Sequence, residues 1–181
     1  HLIVGCGGVL TSAPTYGQAA LILLDALQPV GLSGLALDQV GLVAPMGAVA
    51  MVNPLAAVEV MERDGLLNLG TVVAPVGRAR KGELALTCKL EYSDGRVVET
   101  DVLHGSLKVI PLQTGQSATL QLRPNRDVDV GLGVKGQAAM TTVRGGAVGL
   151  IIDARGRPLP MAGEPAQRRK QALRWLQAMG S

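Results

Sequence analysis

The sequence predicts a mixed α/β protein: an N-terminal α/β segment, then a mostly antiparallel β barrel or sandwich, then a C-terminal helix. Three observations carry that expectation. The apolar run Leu2-Ile3-Val4 meets the glycines Gly5, Gly7 and Gly8 and then residues at helical spacing. Beyond Gly65 the apolar residues alternate, as successive side chains of a strand do, rather than recurring every three or four positions. The segment from Glu164-Pro165 to Met179 returns to the helical pattern.

Leu2 to Val4 reads as a buried strand. A helix follows from about Thr15 to Leu27, because Ala19, Ile22, Leu23, Ala26 and Leu27 share one face, Thr15 is an N-cap and Gln28-Pro29 closes it. Gly34 to Leu37 reads as a second short strand ending at Asp38. Pro45 to Val52 and Pro54 to Arg63 read as helices, the second with Asn53 as N-cap and Pro54 in its first turn. Two strands joined by a helix lie parallel in one sheet. That arrangement puts the glycine loop at the carboxyl end of the first strand, where ligands of open α/β sheets bind.

The β-rich region reads as strands at Gly70 to Val76, Glu83 to Tyr92, Arg96 to Leu103, Ser106 to Pro111, Ala118 to Leu122, Gln137 to Val143 and Ala147 to Asp153. Ser93-Asp94-Gly95 is the hairpin turn between the second and third of these. In the terminal helix Ala172, Trp175, Leu176 and Met179 form the packing face, while Arg168, Arg169 and Lys170 face water. The expected division is 1-68 for the α/β segment, 69-160 for the β-rich domain and 161-181 for the terminal helix. A charge step supports the first boundary: all seventeen Lys and Arg residues lie from Arg63 onward.

Composition narrows the function classes. With 48% hydrophobic and 17% charged residues, the 181-residue chain can bury a core. Tyr16, Tyr92 and Trp175 are its only aromatics, too few to build a base-stacking platform, so nucleic acid is not an expected partner. The chain carries no formal charge between Asp38 and Glu59, but Pro45, Asn53 and Pro54 interrupt that stretch and no membrane span is expected. Cys6 and Cys88 lack metal-ligand spacing and read as reduced thiols of a cytoplasmic protein, Cys6 as a small buried hydrophobe. His104 reads as a solvent-facing turn residue. Asp127 and Asp129 sit at alternate positions, but beside Gly131 they read as turn residues rather than metal or acid-base groups. Asp153 reads as a hairpin residue, with Arg155 and Arg157 exposed toward an acidic partner surface. The remaining basic clusters are Arg78-Ala79-Arg80-Lys81 and Arg168-Arg169-Lys170 with Arg174.

The candidate ligand-binding residues are therefore Gly5, Cys6, Gly7 and Gly8, with no catalytic or metal-ligating set. Glycine lets a phosphate, ribose or base approach the main chain, and the free N–H groups of a following helix favour an anion. The spacing is not the six-position dinucleotide fingerprint, because the sixth position counted from Gly5 is Leu10. A tight strand-to-helix turn is the alternative reading of the same glycines.

Several segments together resemble the C-terminal part of the glutamate mutase accessory proteins called MutL. They are Val4-Gly5-Cys6-Gly7-Gly8-Val9-Leu10, Leu23-Leu24-Asp25-Ala26-Leu27-Gln28-Pro29, Pro45-Met46-Gly47-Ala48 and the run from Gly149 to Leu159. That family is similar to the hydantoinase and oxoprolinase branch of the actin, Hsp70 and sugar-kinase superfold. The resemblance implies that residues 1-68 are part of an actin-like lobe and that Gly5, Gly7 and Gly8 contact ATP or ADP, with magnesium, in a longer parent protein. It implies adenosylcobalamin-dependent mutase subunits as partners, and a chain that starts in mid-domain with the other lobe elsewhere. Cys6 departs from the smaller or hydroxylic residue usual beside such glycines. Three functions stay open: an ATP-dependent reactivating factor, part of a hydantoinase- or oxoprolinase-like hydrolase, and a non-catalytic interaction module.

Overall fold

The computed structural model describes residues 1-77 and 80-180, apart from the side chain of Asp64. Arg78 and Ala79 of the first basic cluster lie outside the described residues. Strand β1 (Leu2–Gly5) leads through a one-turn helix α1 (Gly8–Thr11) to α2 (Tyr16–Leu27) and β2 (Gly31–Leu37). The Thr15 side chain accepts the N–H of Gln18, as the N-cap reading requires, and the Gln28 N–H closes the helix on the Leu24 carbonyl. β1 and β2 pair in parallel, with Gly5 opposite Leu37.

Helix α3 spans Val43–Ala50 and starts two residues before the expected Pro45. The cause is Asp38, whose two carboxylate oxygens accept the N–H groups of Leu42 and Val43 at 2.7 and 3.0 Å. Helix α4 (Pro54–Val60) has Asn53 as its N-cap and ends in a π-helical turn, Met61–Gly65.

The remaining strands are β3 (Leu67–Ala74), β4 (Val76–Gly77), β5 (Leu84–Tyr92), β6 (Val97–Leu103), β7 (Leu107–Ile110), β8 (Ser117–Pro124), β9 (Val128–Asp129), β10 (Ala139–Arg144) and β11 (Gly149–Asp153), followed by α5 (Pro165–Ala178). They form no closed barrel among the described residues. One sheet has five strands in the order β1-β2-β3-β11-β7, and another has four antiparallel strands in the order β10-β8-β5-β6. The five-stranded ladder therefore draws strands from both sides of residue 68, and the charge step at Arg63 lies within its connectivity. Every residue of β11 is buried, as suits a central strand covered on both faces.

Two cores sandwich the five-stranded sheet. On one face Leu35, Leu37, Leu69 and Ile151 meet Ala20 and Leu24 of α2 and Trp175 and Met179 of α5. On the other face Val73, Leu150 and Ile152 meet Leu86, Cys88, Leu90 and Leu120 of the four-stranded sheet. The terminal helix behaves as its pattern predicts, with Trp175 and Met179 buried and Arg168, Arg169 and Lys170 exposed. Among the described residues no helix is long and apolar enough to cross a membrane.

Candidate functional site

The glycine loop leaves β1 at the carboxyl edge of the parallel pair, beside the end of β2, where the Asp38 N–H donates to the Gly5 carbonyl at 2.8 Å. Its three glycines have different physical roles. A Cβ on Gly5 would lie 2.8 Å from Leu10 Cδ1, 3.0 Å from Leu37 Cδ2 and 3.1 Å from Leu23 Cδ1, so this glycine answers to packing of the core. Gly7 has φ +90°, which only glycine adopts cheaply, and its carbonyl accepts the N–H groups of Leu10 and Thr11. Gly7 and Gly8 both have open space where a side chain would stand. Of the four expected site residues, Cys6, Gly7 and Gly8 are exposed together in the loop, while Gly5 is buried beneath it.

Cys6 is exposed, which corrects its reading as a small buried hydrophobe; at the end of β1 the chain has already left the sheet. Cys88 occupies the core, and burial pushes its thiol up to about 11, with Lys108 pulling weakly the other way. A thiol reagent is expected to label one cysteine, Cys6, in the native protein and to reach Cys88 only in denaturant. Mass-spectrometric mapping of the labelled peptide checks the assignment, and native labelling of Cys88 would refute it.

The loop leaves open space above Gly7 and Gly8. Both oxygens of nearby Asp38 are engaged by main-chain N–H groups. Among the described residues there is also no group of three His, Cys, Asp or Glu arranged to hold a metal ion. Asp129 is a turn residue as its context predicts: its carboxylate accepts the N–H groups of Gly131, Leu132 and Gly133.

A cleft of about 770 Å³ opens between α3, α4 and the face of β2, bordered by Leu2, Ala36, Met46, Met61 and Leu66. Its inner polar groups are satisfied within the protein. Asn68 donates to the Gly145 carbonyl and accepts the Gly70 N–H, and Thr71 donates to the Arg144 carbonyl. Such walls leave few groups to orient a polar ligand.

The largest departure from expectation lies toward the opposite end of the strands. Arg155, expected on the surface, is 2% exposed and its guanidinium lies 4.5 Å from the centre of the Trp175 ring. Asp153, expected as a simple hairpin residue, is fully buried and grips Arg155 at 2.8 and 2.9 Å and Arg157 Nη2 at 2.8 Å. Asp25, in the last turn of α2, makes a close charge contact with Arg155 Nη1 at 2.7 Å that lies outside hydrogen-bond geometry. Burial raises the Asp25 carboxyl above its ordinary range even against the pull of Arg155. For Asp153, burial alone would do the same, but the hydrogen bonds and charge of Arg155, then those of Arg157, prevail and hold it low.

The surrounding loop is anchored as well, since Arg157 Nε donates to the Pro29 carbonyl and the Gln28 side chain accepts the Leu159 N–H. His104 is half-buried rather than solvent-facing, with Nε2 buried and unpartnered among the described residues. One signal for the cluster was present in the sequence: Asp25 is the single charge in α2. Comparison with protein-family models, with curated proteins and with solved structures found no match.

Proposed function

We propose that this chain is the C-terminal part of an ATP-binding accessory or reactivating factor for an adenosylcobalamin-dependent mutase of the glutamate mutase type. The observation that carries the reading is the open glycine loop at the carboxyl edge of β1 and β2. There Gly7 turns the backbone and Gly8 leaves it uncovered. In this reading residues 1-68 contribute to an actin-like lobe, the rest of the nucleotide cleft and its magnesium ligands come from other parts of the parent protein, and the β-rich region docks the mutase subunits. The chain's own part is to seat the nucleotide against Gly7 and Gly8. Gly5 and Asp38 hold the loop in place.

Calorimetric titration of Mg-ATP and Mg-ADP into the full-length parent tests this, beside a Gly8→Val variant. Gly8 faces open space at a φ outside the left-handed region, so valine adds bulk over the loop without straining the backbone. The expected result is saturable binding that falls at least tenfold in a variant of unchanged thermal stability. Binding that is absent, or indifferent to the substitution, sinks the proposal. A second reading, a non-catalytic interaction module, is favoured by Gly5, whose missing side chain serves the packing of Leu10, Leu23 and Leu37.

A further inference from the structure

We propose that the basic pocket beside α5 binds a small phosphorylated anion, at a site separate from the glycine loop. The two lie toward opposite ends of the strands of the five-stranded sheet. Gly5 is level with Leu37 on β2, whereas β11 runs the other way and Asp153 ends level with Ala74 and so with Gly31. Six residues of strand separate those levels, about 20 Å at the usual rise.

The pocket encloses about 600 Å³, and no carboxylate lines it among the described residues. Its basic residues are Lys81, Arg155, Arg157, Lys170 and Arg174, with His104 beside them. Asp25 and Asp153 offset the two inner arginines, so the surplus positive charge comes from Lys81, Lys170 and Arg174. None of these three has a carboxylate partner among the described residues. Three uncompensated cations converging on a concavity raise the local potential, and a compact multivalent anion matches that geometry.

The walls are built rather than incidental. The Lys81 stem lies against Gly105, where a Cβ would sit 2.9 Å from Lys81 Cγ. The Gly105 N–H donates to the Ala154 carbonyl, and the Gly82 N–H to the His104 carbonyl. On the far side, Arg155 under Trp175 seats α5. Gln171 pins the loop by donating to the Pro160 carbonyl and accepting the Ala162 N–H. Lys170 and Arg174 are one helical turn apart and line the same wall.

Inorganic pyrophosphate is the probe, titrated by calorimetry into the chain at low and at physiological salt. Saturable binding that weakens with salt is expected, with at least a tenfold loss in a Lys170→Glu, Arg174→Glu double variant and a smaller loss in Lys81→Ala. Both helix positions are exposed, so folding is expected to survive, and the emission of Trp175 monitors it. Gly8→Val is expected to leave pyrophosphate binding unchanged, which separates this site from the proposed nucleotide loop. The inference is overturned by absence of binding, by binding that survives in both the folded charge-reversed variant and Lys81→Ala, or by loss confined to Gly8→Val. Capture of an acidic polyglutamate peptide with no response to pyrophosphate would overturn it equally.

Discussion

Asp153→Ala is expected to remove about 3–5 kcal/mol of stability, the usual cost of stripping one partner from a buried ion pair. At roughly 2–4 °C per kcal/mol for a chain of this size, the melting temperature should fall by on the order of 10 °C. The physical cause is not the lost attraction alone. Arg155 is 2% exposed and would keep a buried charge balanced only by Asp25, whose contact lies outside hydrogen-bond geometry, and Arg157 would lose its carboxylate. Urea denaturation followed by Trp175 emission measures the effect directly, because the indole sits against the same guanidinium. A double variant, Asp153→Ala with Arg155→Met, should recover part of the loss, since it removes the stranded charge as well. Additive losses would show that the two residues do not act as a pair.

The same cluster sets an acid response with a definite sign. Asp153 is held below the ordinary carboxylate range, so its contribution is complete above the unfolded value of about 3.9 and is lost as pH falls through the folded one. Asp25 has the opposite sign. Its folded value is raised, so its contribution is present in acid and is lost as pH rises through that value. Wild-type stability should therefore decline below about pH 4, and the decline should be shallower in Asp153→Ala.

Gly70→Ala is expected to be the most disruptive single-methyl change in the protein, costing on the order of 3 kcal/mol or more once strain and overpacking combine. Gly70 has φ +136°, and a Cβ there would stand 1.9 Å from the carbonyl oxygen of Gly149, its partner in the parallel ladder of β3 and β11. Backbone cannot move aside as a flexible side chain can. The two strands must part, and β11 lies at the centre of both cores. Loss of soluble folded protein, or a midpoint shift comparable to that of Asp153→Ala, is the expected reading. A variant as stable as wild type would mean that the ladder does not close at this glycine.

What could be read in the sequence follows from what is local. Thr15 and Asn53 cap their helices as their positions indicate, and Asp129 ties its turn through its own side chain. Tyr92 and Arg96 flank the Asp94-Gly95 turn that joins β5 to β6. The parallel pairing of β1 and β2 was also legible, because a strand-helix-strand unit of this length closes in essentially one way. In the loop, the need for glycine at 7 could be anticipated from turn chemistry. That Gly5 serves core packing could not, since Leu23 and Leu37 reach it from elements far along the chain.

Charge was misleading for the same reason. A basic residue beside a turn reads as solvated until a distant carboxylate is brought to it, and Asp25 meets Arg155 across 130 positions of sequence. The sequence by itself determined the kind and order of the longer elements, because hydrophobic period and capping act within a few residues, but not the short α1, β4, β9 or the π-helical turn. Only the tertiary structure decided that β3, β7 and β11 join β1 and β2 in one sheet, that Arg155 and Asp153 are buried, and that Cys6 is exposed. Strand pairing and desolvation are set by what arrives from elsewhere in the chain, and no local pattern encodes it.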